Sequence, residues 1–282
     1  FDTMYFLMVI LFAKDFAFLA AVMAMTYLFP IIGYDPVFVI VTFLVCLMGS
    51  YLIEKVTTRQ ELIALGMKLA VTKFFLYLLL TYFIGREQNL VVLQSGEIVI
   101  SGLLSGMLAI AALPYFERTF NILTTFRLLE LGDLSHPLLK LLSMKAPGTF
   151  HHSMMVATLS EAAAEAIGAN AIFARVASYY HDIGKMKRPK FYVENQEGGE
   201  NPHSKISPFL STLIITSHTK DGNELGREYK IPREIRDVMF EHQGTTMLAY
   251  FYNKAKQLDP TVIEEDFKYG GPIPRSKESA II

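Results

Sequence analysis

Charge is spread so unevenly along this 282-residue chain that one soluble globule is ruled out: residues 1–116 hold 13 charged side chains and the remaining 166 residues hold 40. The chain is 52% hydrophobic overall, and the excess is concentrated in apolar runs at 16–32, 36–53, 67–84 and 98–116. Each run approaches the length a helix needs to cross about 30 Å of hydrocarbon. One such run alone is often a buried soluble helix; four in series predict a membrane region over residues 1–116, ahead of a soluble region. Residues 4–12 read as the tail of a further span. The chain opens on Phe1 without the basic n-region of a signal peptide, and we read it as a piece of a longer protein.

Orientation follows from Lys and Arg. If the soluble region is cytoplasmic, the inner loops or their edges carry Lys14, Lys55, Arg59, Lys68 and Arg118, and the outer connections carry only Arg86. That is the positive-inside pattern, and it predicts a multi-pass protein of the cell membrane. Lys73 falls within a span and is expected to snorkel. Asp35, between Tyr34 and Pro36, reads as a turn. The net charge of −1 gives no support for binding a nucleic-acid polymer. The single cysteine, Cys46, excludes a disulfide framework within the chain.

Within the soluble region a single string stands out: Tyr180-His181-Asp182-Ile183-Gly184-Lys185. The imidazole is a nitrogen ligand, the adjacent carboxylate can bridge two metal ions, and the ammonium three residues on can meet a phosphate oxygen. His152, His218 and His242 accompany it. Helical periodicity sets His152 on a stripe with Met155, Val156, Leu159, Ala163, Ala166 and Ile167, whereas His151 lines up with Met154, Thr158 and Glu165. His181 follows Phe173, Val176, Ala177 and Tyr180; His218 follows Leu210, Leu213, Ile214 and Ser217; His242 follows Ile235, Val238 and Met239. All four are thus expected to face inward, three of them at or near helix C-termini. A hydrogen-bonded core histidine is the ordinary account of any single inward His. Four of them with one Asp are more economically satisfied by metal.

Residues 117–148 read as a linker, broken by Pro137 and Pro147, with amphipathic pieces at 126–131 and 138–144. Helices are predicted near 149–167, 171–183, 207–219, 232–242 and 245–257, with little strand signal. The polar stretch between Lys185 and Ser207 is long enough to be a functional loop. Its His203, in Asn201-Pro202-His203, is a candidate for covering the site. His136 and His151 are expected at the surface.

These motifs resemble the seven-transmembrane HD family, the PgpH-type cyclic di-AMP phosphodiesterases, over essentially the whole chain. The resemblance rests on Leu128-Leu129-Glu130-Leu131, Ala146-Pro147-Gly148-Thr149-Phe150-His151-His152-Ser153 and Tyr179 to Lys185. It continues through Tyr192-Val193-Glu194-Asn195-Gln196, Asn201-Pro202-His203 and Gly244-Thr245-Thr246. It implies an all-α protein, polytopic transmembrane helices followed by a cytoplasmic HD-domain phosphohydrolase at 149–282. It also implies two divalent transition metal ions (iron or manganese), a cyclic dinucleotide substrate and hydrolysis of cyclic di-AMP to linear pApA. By position, the implied metal ligands are His152, His181, Asp182, His218 and His242, with Asp182 bridging. Asp182 and Lys185 are the implied catalytic pair, and Lys185, Arg188, Asn201 and His203 the implied contacts to substrate.

Two departures accompany the resemblance. The family carries two consecutive His where this chain has His242-Gln243, and the family's last ligand, an Asp, would fall a few residues beyond Ile282. The cyclic di-GMP group of HD phosphodiesterases shares the HDIGK string, but its Gly-Tyr-Pro motif has no counterpart near Glu241-His242-Gln243-Gly244-Thr245-Thr246. Another nucleotide phosphohydrolase, or a silent receptor that binds nucleotide without cleaving it, is the remaining alternative; a homo-oligomer is compatible with all of these readings.

Overall fold

The computed structural model describes residues 2–12, 14–28, 30, 35–53, 56, 58–196, 198 and 200–282. Lys55 and the end of the run expected at 16–32 therefore lie outside the described residues. Contacts divide the chain into two units, Phe1–Phe126 and Arg127–Ile282. The fold is helical, and among the described residues the only β pairing is an isolated bridge between Met247 and Lys268.

The first unit contains α1 (Asp2–Leu11), α2 (Lys14–Leu28), α3 (Pro36–Ile53), α4 (Arg59–Ile84) and α5 (Gln88–Phe120). Among the described residues three segments are long and apolar enough to cross a membrane: Pro36–Ile53, Arg59–Ile84 and Val91–Phe120. The two segments Asp2–Leu11 and Phe16–Tyr27 are shorter apolar helices. Val41, Leu62, Leu65, Leu69, Ala109 and Leu113 form the interior, while Phe75, Leu79, Ile100, Leu103 and Met107 stay exposed. An apolar outside around an apolar inside is what a lipid-facing bundle requires.

α4 begins eight residues before the run expected at 67–84. Its polar first turns masked it from a hydropathy reading, yet they hold a capping box: Thr58 Oγ1 accepts from the Glu61 N–H, and Glu61 Oε2 accepts from the Thr58 N–H, both at 3.2 Å. Against α5, α4 packs through small residues. A Cβ on Gly102 would lie 2.3 Å from the Ala70 Cβ, and Gly66 faces Gly106. Such small-residue faces let membrane helices approach closely.

Lys73 corrects the snorkelling expectation. It lies near the middle of α4, about 20 Å from Arg59 at 1.5 Å rise per residue. Its side chain is 4% exposed, pairs with Asp2 of α1 at 3.2 Å and sits over the Phe38 ring. A partner 71 residues away leaves no local pattern to read. Removing one partner of a buried pair strands the other charge. We expect Lys73→Met to cost about 3 kcal/mol in thermal unfolding of the membrane-embedded protein, with stability returning when Asp2→Asn is added. A single variant no less stable than the double would contradict this. Asp35, read as a turn, caps α3 through Val37 and Phe38 and binds Arg86 with both oxygens at 2.8 Å.

The residues expected as a linker carry the end of α5, then α6 (Thr125–Leu131) and α7 (Pro137–Lys145). In the second unit Leu128, Leu131, Leu138, Leu139 and Leu142 are buried. α8 (Pro147–Ala166) and α9 (Ala171–Tyr180) follow, then 3-10 turns through Ser204, α10 (Pro208–Glu228), α11 (Arg233–Glu241), α12 (Ala249–Leu258) and α13 (Lys277–Ile281). α10 runs well past the expected end at 219, so His218 sits mid-helix rather than near a C-terminus.

Candidate metal centre

Helix ends and one close crossing build this site. Asn170 caps α9, accepting from the Phe173 N–H, and Val176, Ala177 and Tyr180 are buried along it. The helix stops at Tyr180, so His181 and Asp182 leave it together and the chain tightens into a 3-10 turn, Ile183–Lys187. Gly184 then passes directly over α10. A Cβ there would fall 1.9 Å from the His218 carbonyl oxygen and 2.6 Å from the Gly222 nitrogen. The glycine of HDIGK is thus what lets His218 reach Asp182.

The Asp182 carboxylate is the hub. Its Oδ2 lies 3.2 Å from His181 Nε2 and 3.7 Å from His152 Nε2. Its Oδ1 lies 3.2 Å from His218 Nε2 and 3.6 Å from His242 Nε2. The same five residues form two groups with metal-ligand spacing, His152–His181–Asp182 and Asp182–His218–His242, sharing Asp182.

The far side of three rings settles which nitrogen is free. His181 Nδ1 is 2.7 Å from the Ser178 carbonyl, His218 Nδ1 is 2.6 Å from the Ile215 carbonyl and His242 Nδ1 is 3.2 Å from the Val238 carbonyl. A carbonyl only accepts, so each Nδ1 carries a proton, and in the neutral ring each Nε2 presents a lone pair to the centre. His218 Nε2 and His242 Nε2 are 3.3 Å apart, and two lone pairs at that distance call for a cation between or beside them. Asp182 Oδ1 is likewise buried with no hydrogen-bond donor. A proton or a metal ion meets that demand, and carbonyls bonded to the far nitrogen of a ligating ring are the usual support of a metal site. The residues present fit a metal.

Two of the rings are shifted toward the neutral form and one toward the protonated form. Burial lowers the pKa of His152 and of His242, favouring the neutral rings a metal needs. For His181 burial acts downward too, but the Asp182 carboxylate outweighs it and the pKa rises. Burial would raise Asp182; the imidazoles around it prevail and hold it well below the usual carboxylate range.

Lys185 is drawn into the same cluster, its Nζ 2.7 Å from Asp182 Oδ2 and 2.9 Å from Glu194 Oε1, with the Tyr192 ring 5.1 Å away. Arg188 instead meets Ser217 and Asp221 on α10 at 3.0 and 3.1 Å. Asn201 caps the turn that follows it, accepting from the His203 N–H. His203 is buried between Phe191 and Phe251, its Nε2 2.9 Å from the Phe191 carbonyl. None of these three contacts joins the His–Asp cluster. Gln243 is half-buried in the turn after α11.

Two residues at the site had no role in the sequence reading. Glu194 belongs to the Tyr192–Gln196 string, but its contact with Lys185 crosses irregular turns that periodicity does not describe. Tyr180 is fully buried and donates to the Leu131 carbonyl at 2.7 Å, while the His136 ring, expected at the surface, packs edge-on against it. His151 is exposed, as expected. We expect His152→Ala to abolish most activity and His151→Ala to retain it, in paired turnover assays; equal losses would contradict the placement of His152.

Helices long and apolar enough to cross a membrane precede a helical unit with a His/Asp cluster, and this chain belongs to the seven-transmembrane HD family. Residues 1–124 match the family described as 7TM receptor with intracellular HD hydrolase, and residues 149–277 match the HD domain. Among curated proteins the chain is similar to cyclic-di-AMP phosphodiesterase PgpH of Bacillus subtilis, 46% identical over 83% of this chain and 33% of that protein. PgpH of Listeria monocytogenes is 49% identical over 73% of this chain and 29% of its own length. The chain thus spans about a third of the length of these relatives. The crystal structure of the L. monocytogenes PgpH HD domain in complex with cyclic-di-AMP shares its fold, with a TM-score of 0.52 and 55% identity, covering 53% of this chain and 70% of that one.

Proposed function

We propose that this protein is a membrane-anchored, metal-dependent phosphodiesterase that hydrolyses a cyclic dinucleotide, cyclic di-AMP, to linear pApA. The observation that carries the reading is the pair of ligand groups meeting on one carboxylate. His152 and His181 would hold one divalent ion with Asp182 Oδ2, and His218 and His242 a second with Oδ1; iron or manganese suits imidazole and carboxylate donors. Such ions supply Lewis acidity toward a phosphoryl group and activation of water. The chain's own residues do the rest. Backbone carbonyls hold three rings in the ligating tautomer, and Lys185 offers an ammonium to a non-bridging phosphate oxygen. Arg188, placed beside Asp221, and Asn201 and His203 of the turn at Pro202–Ser204 would add contacts to substrate.

Similarity to proteins named as cyclic di-AMP phosphodiesterases supports the substrate. Basic residues on one side of the spans, Arg59 and Arg118 against Arg86 bonded to Asp35, support a cytoplasmic HD domain. The test is turnover by the full-length natural protein in lipid nanodiscs, loaded with manganese or iron. Cyclic di-AMP should be cleaved to pApA at least about tenfold faster than cyclic di-GMP, a difference of about 1.4 kcal/mol. Preference for cyclic di-GMP would move it to the rival group, and binding without cleavage would make it a receptor.

A further inference from the structure

His152 Nε2, His181 Nε2 and Lys185 Nζ all converge on the same oxygen, Asp182 Oδ2, whereas among the described residues Oδ1 is approached by His218 and His242 alone. A cation in the first ligand group must therefore share Oδ2 with an ammonium 2.7 Å from it. Two positive charges on one buried oxygen repel strongly, because the interior screens them poorly. The second ligand group has no such competitor.

Glu194 is built to resolve that conflict. Its Oε1 accepts from Lys185 Nζ at 2.9 Å and from Thr149 Oγ1 at 3.1 Å, so the carboxylate is fixed in orientation. Asn195 beside it accepts from the Thr149 N–H and donates to Thr149 Oγ1, supplying the first turn of α8 with a partner from outside the helix. The backbone is pinned as well: a Cβ on Gly148 would fall 1.7 Å from the Glu194 carbonyl oxygen. The Tyr192 ring closes another side of the ammonium. Lys185 has two carboxylate partners, and only one of them is a metal ligand.

We propose that Glu194 is a positioning residue that draws the Lys185 ammonium off Asp182 when metal enters the His152–His181 group, and keeps it beside the centre for the substrate's phosphate. The ion on Oδ2 is then the weaker of the two, and its affinity is set by a competition between Lys185 and metal that Glu194 biases. This inference rests on the metal-dependent reading above, and it separates Glu194 from a metal ligand: a ligand would matter whether or not Lys185 is present.

The experiment is a double-mutant cycle read by Mn²⁺ titration calorimetry and cyclic di-AMP turnover on the full-length protein. E194Q should weaken the lower-affinity Mn²⁺ site by about tenfold, in the range of other residues that act on a metal through its ligands, and leave the tighter site within about twofold. K185M should tighten the weaker site, and E194Q added to K185M should change it little. E194D, which keeps the charge, should restore binding and most of kcat, showing that the fold is intact. An equal loss from E194Q with and without Lys185 would overturn the inference, as would no loss at all. Absence of Mn²⁺ binding by the unmutated protein would instead remove the reading beneath it.

Discussion

Asp182→Ala is expected to lower hydrolysis of cyclic di-AMP by about 10³-fold or more, equivalent to about 4 kcal/mol of transition-state stabilisation. All four imidazoles bring Nε2 within 3.7 Å of this one carboxylate. Both ligand groups lose their shared oxygen donor at once, and four imidazoles are left facing one another. Lys185 loses one of its two carboxylates and keeps Glu194. Metal content should fall with activity. Activity surviving near the unmutated rate would sink the shared-carboxylate account, whatever happened to the metal.

Gly184→Ala should be nearly as damaging, by a different route. The added methyl would sit 1.9 Å from the His218 carbonyl oxygen, and the obstacle is helix backbone rather than a flexible side-chain end. Either the 3-10 turn lifts or α10 moves, and both separate Asp182 from His218. Overpacking of this kind costs about 3 kcal/mol or more, and metal on the His218–His242 side should weaken in parallel. Gly270→Ala is the control: nothing lies within 4 Å of its Cβ position, and stability should be unchanged. Thermal unfolding with and without Mn²⁺ reads both variants. A fully stable, metal-binding Gly184→Ala protein would show that the turn does not depend on this crossing.

The same crossing explains where the sequence was legible and where it was not. The stripes that placed His181 and His242 are buried: Val176, Ala177 and Tyr180 on α9, and Ile235, Val238 and Met239 on α11. On α8 and α10 burial runs the other way. α8 buries Thr149, Ser153, Ala157, Ser160 and Ala164 and exposes Met155 and Leu159, and its C-cap Ile167 is exposed as well. α10 buries Ser211, Thr212, Gly222 and Gly226 and exposes Leu210 and Leu213. Where backbones approach as Gly184 and Gly222 do, only small residues fit between them. Hydropathy therefore assigned the inner face of these two helices to the wrong stripe. His152 reaches Asp182 from the edge of its helix with 43% of its side chain exposed, not from an apolar face.

Other features were legible because they are local. The all-helical class follows from periodicity, three of the four expected spans from length, and the grouping of His152, His181, Asp182, His218 and His242 from motif, and the structure has each of these. The run expected at 16–32 is a shorter apolar helix, Phe16–Tyr27, among the described residues. Lys73 with Asp2 and Lys185 with Glu194 are side-chain pairs made by tertiary packing, and no spacing rule announces them.

The central claim is that two ions share Asp182, and elemental analysis of the purified full-length protein tests it most directly. Two manganese or iron ions per chain, both lost in Asp182→Ala, is the result this account predicts. One ion or none in the unmutated protein, or two ions retained without Asp182, would contradict it.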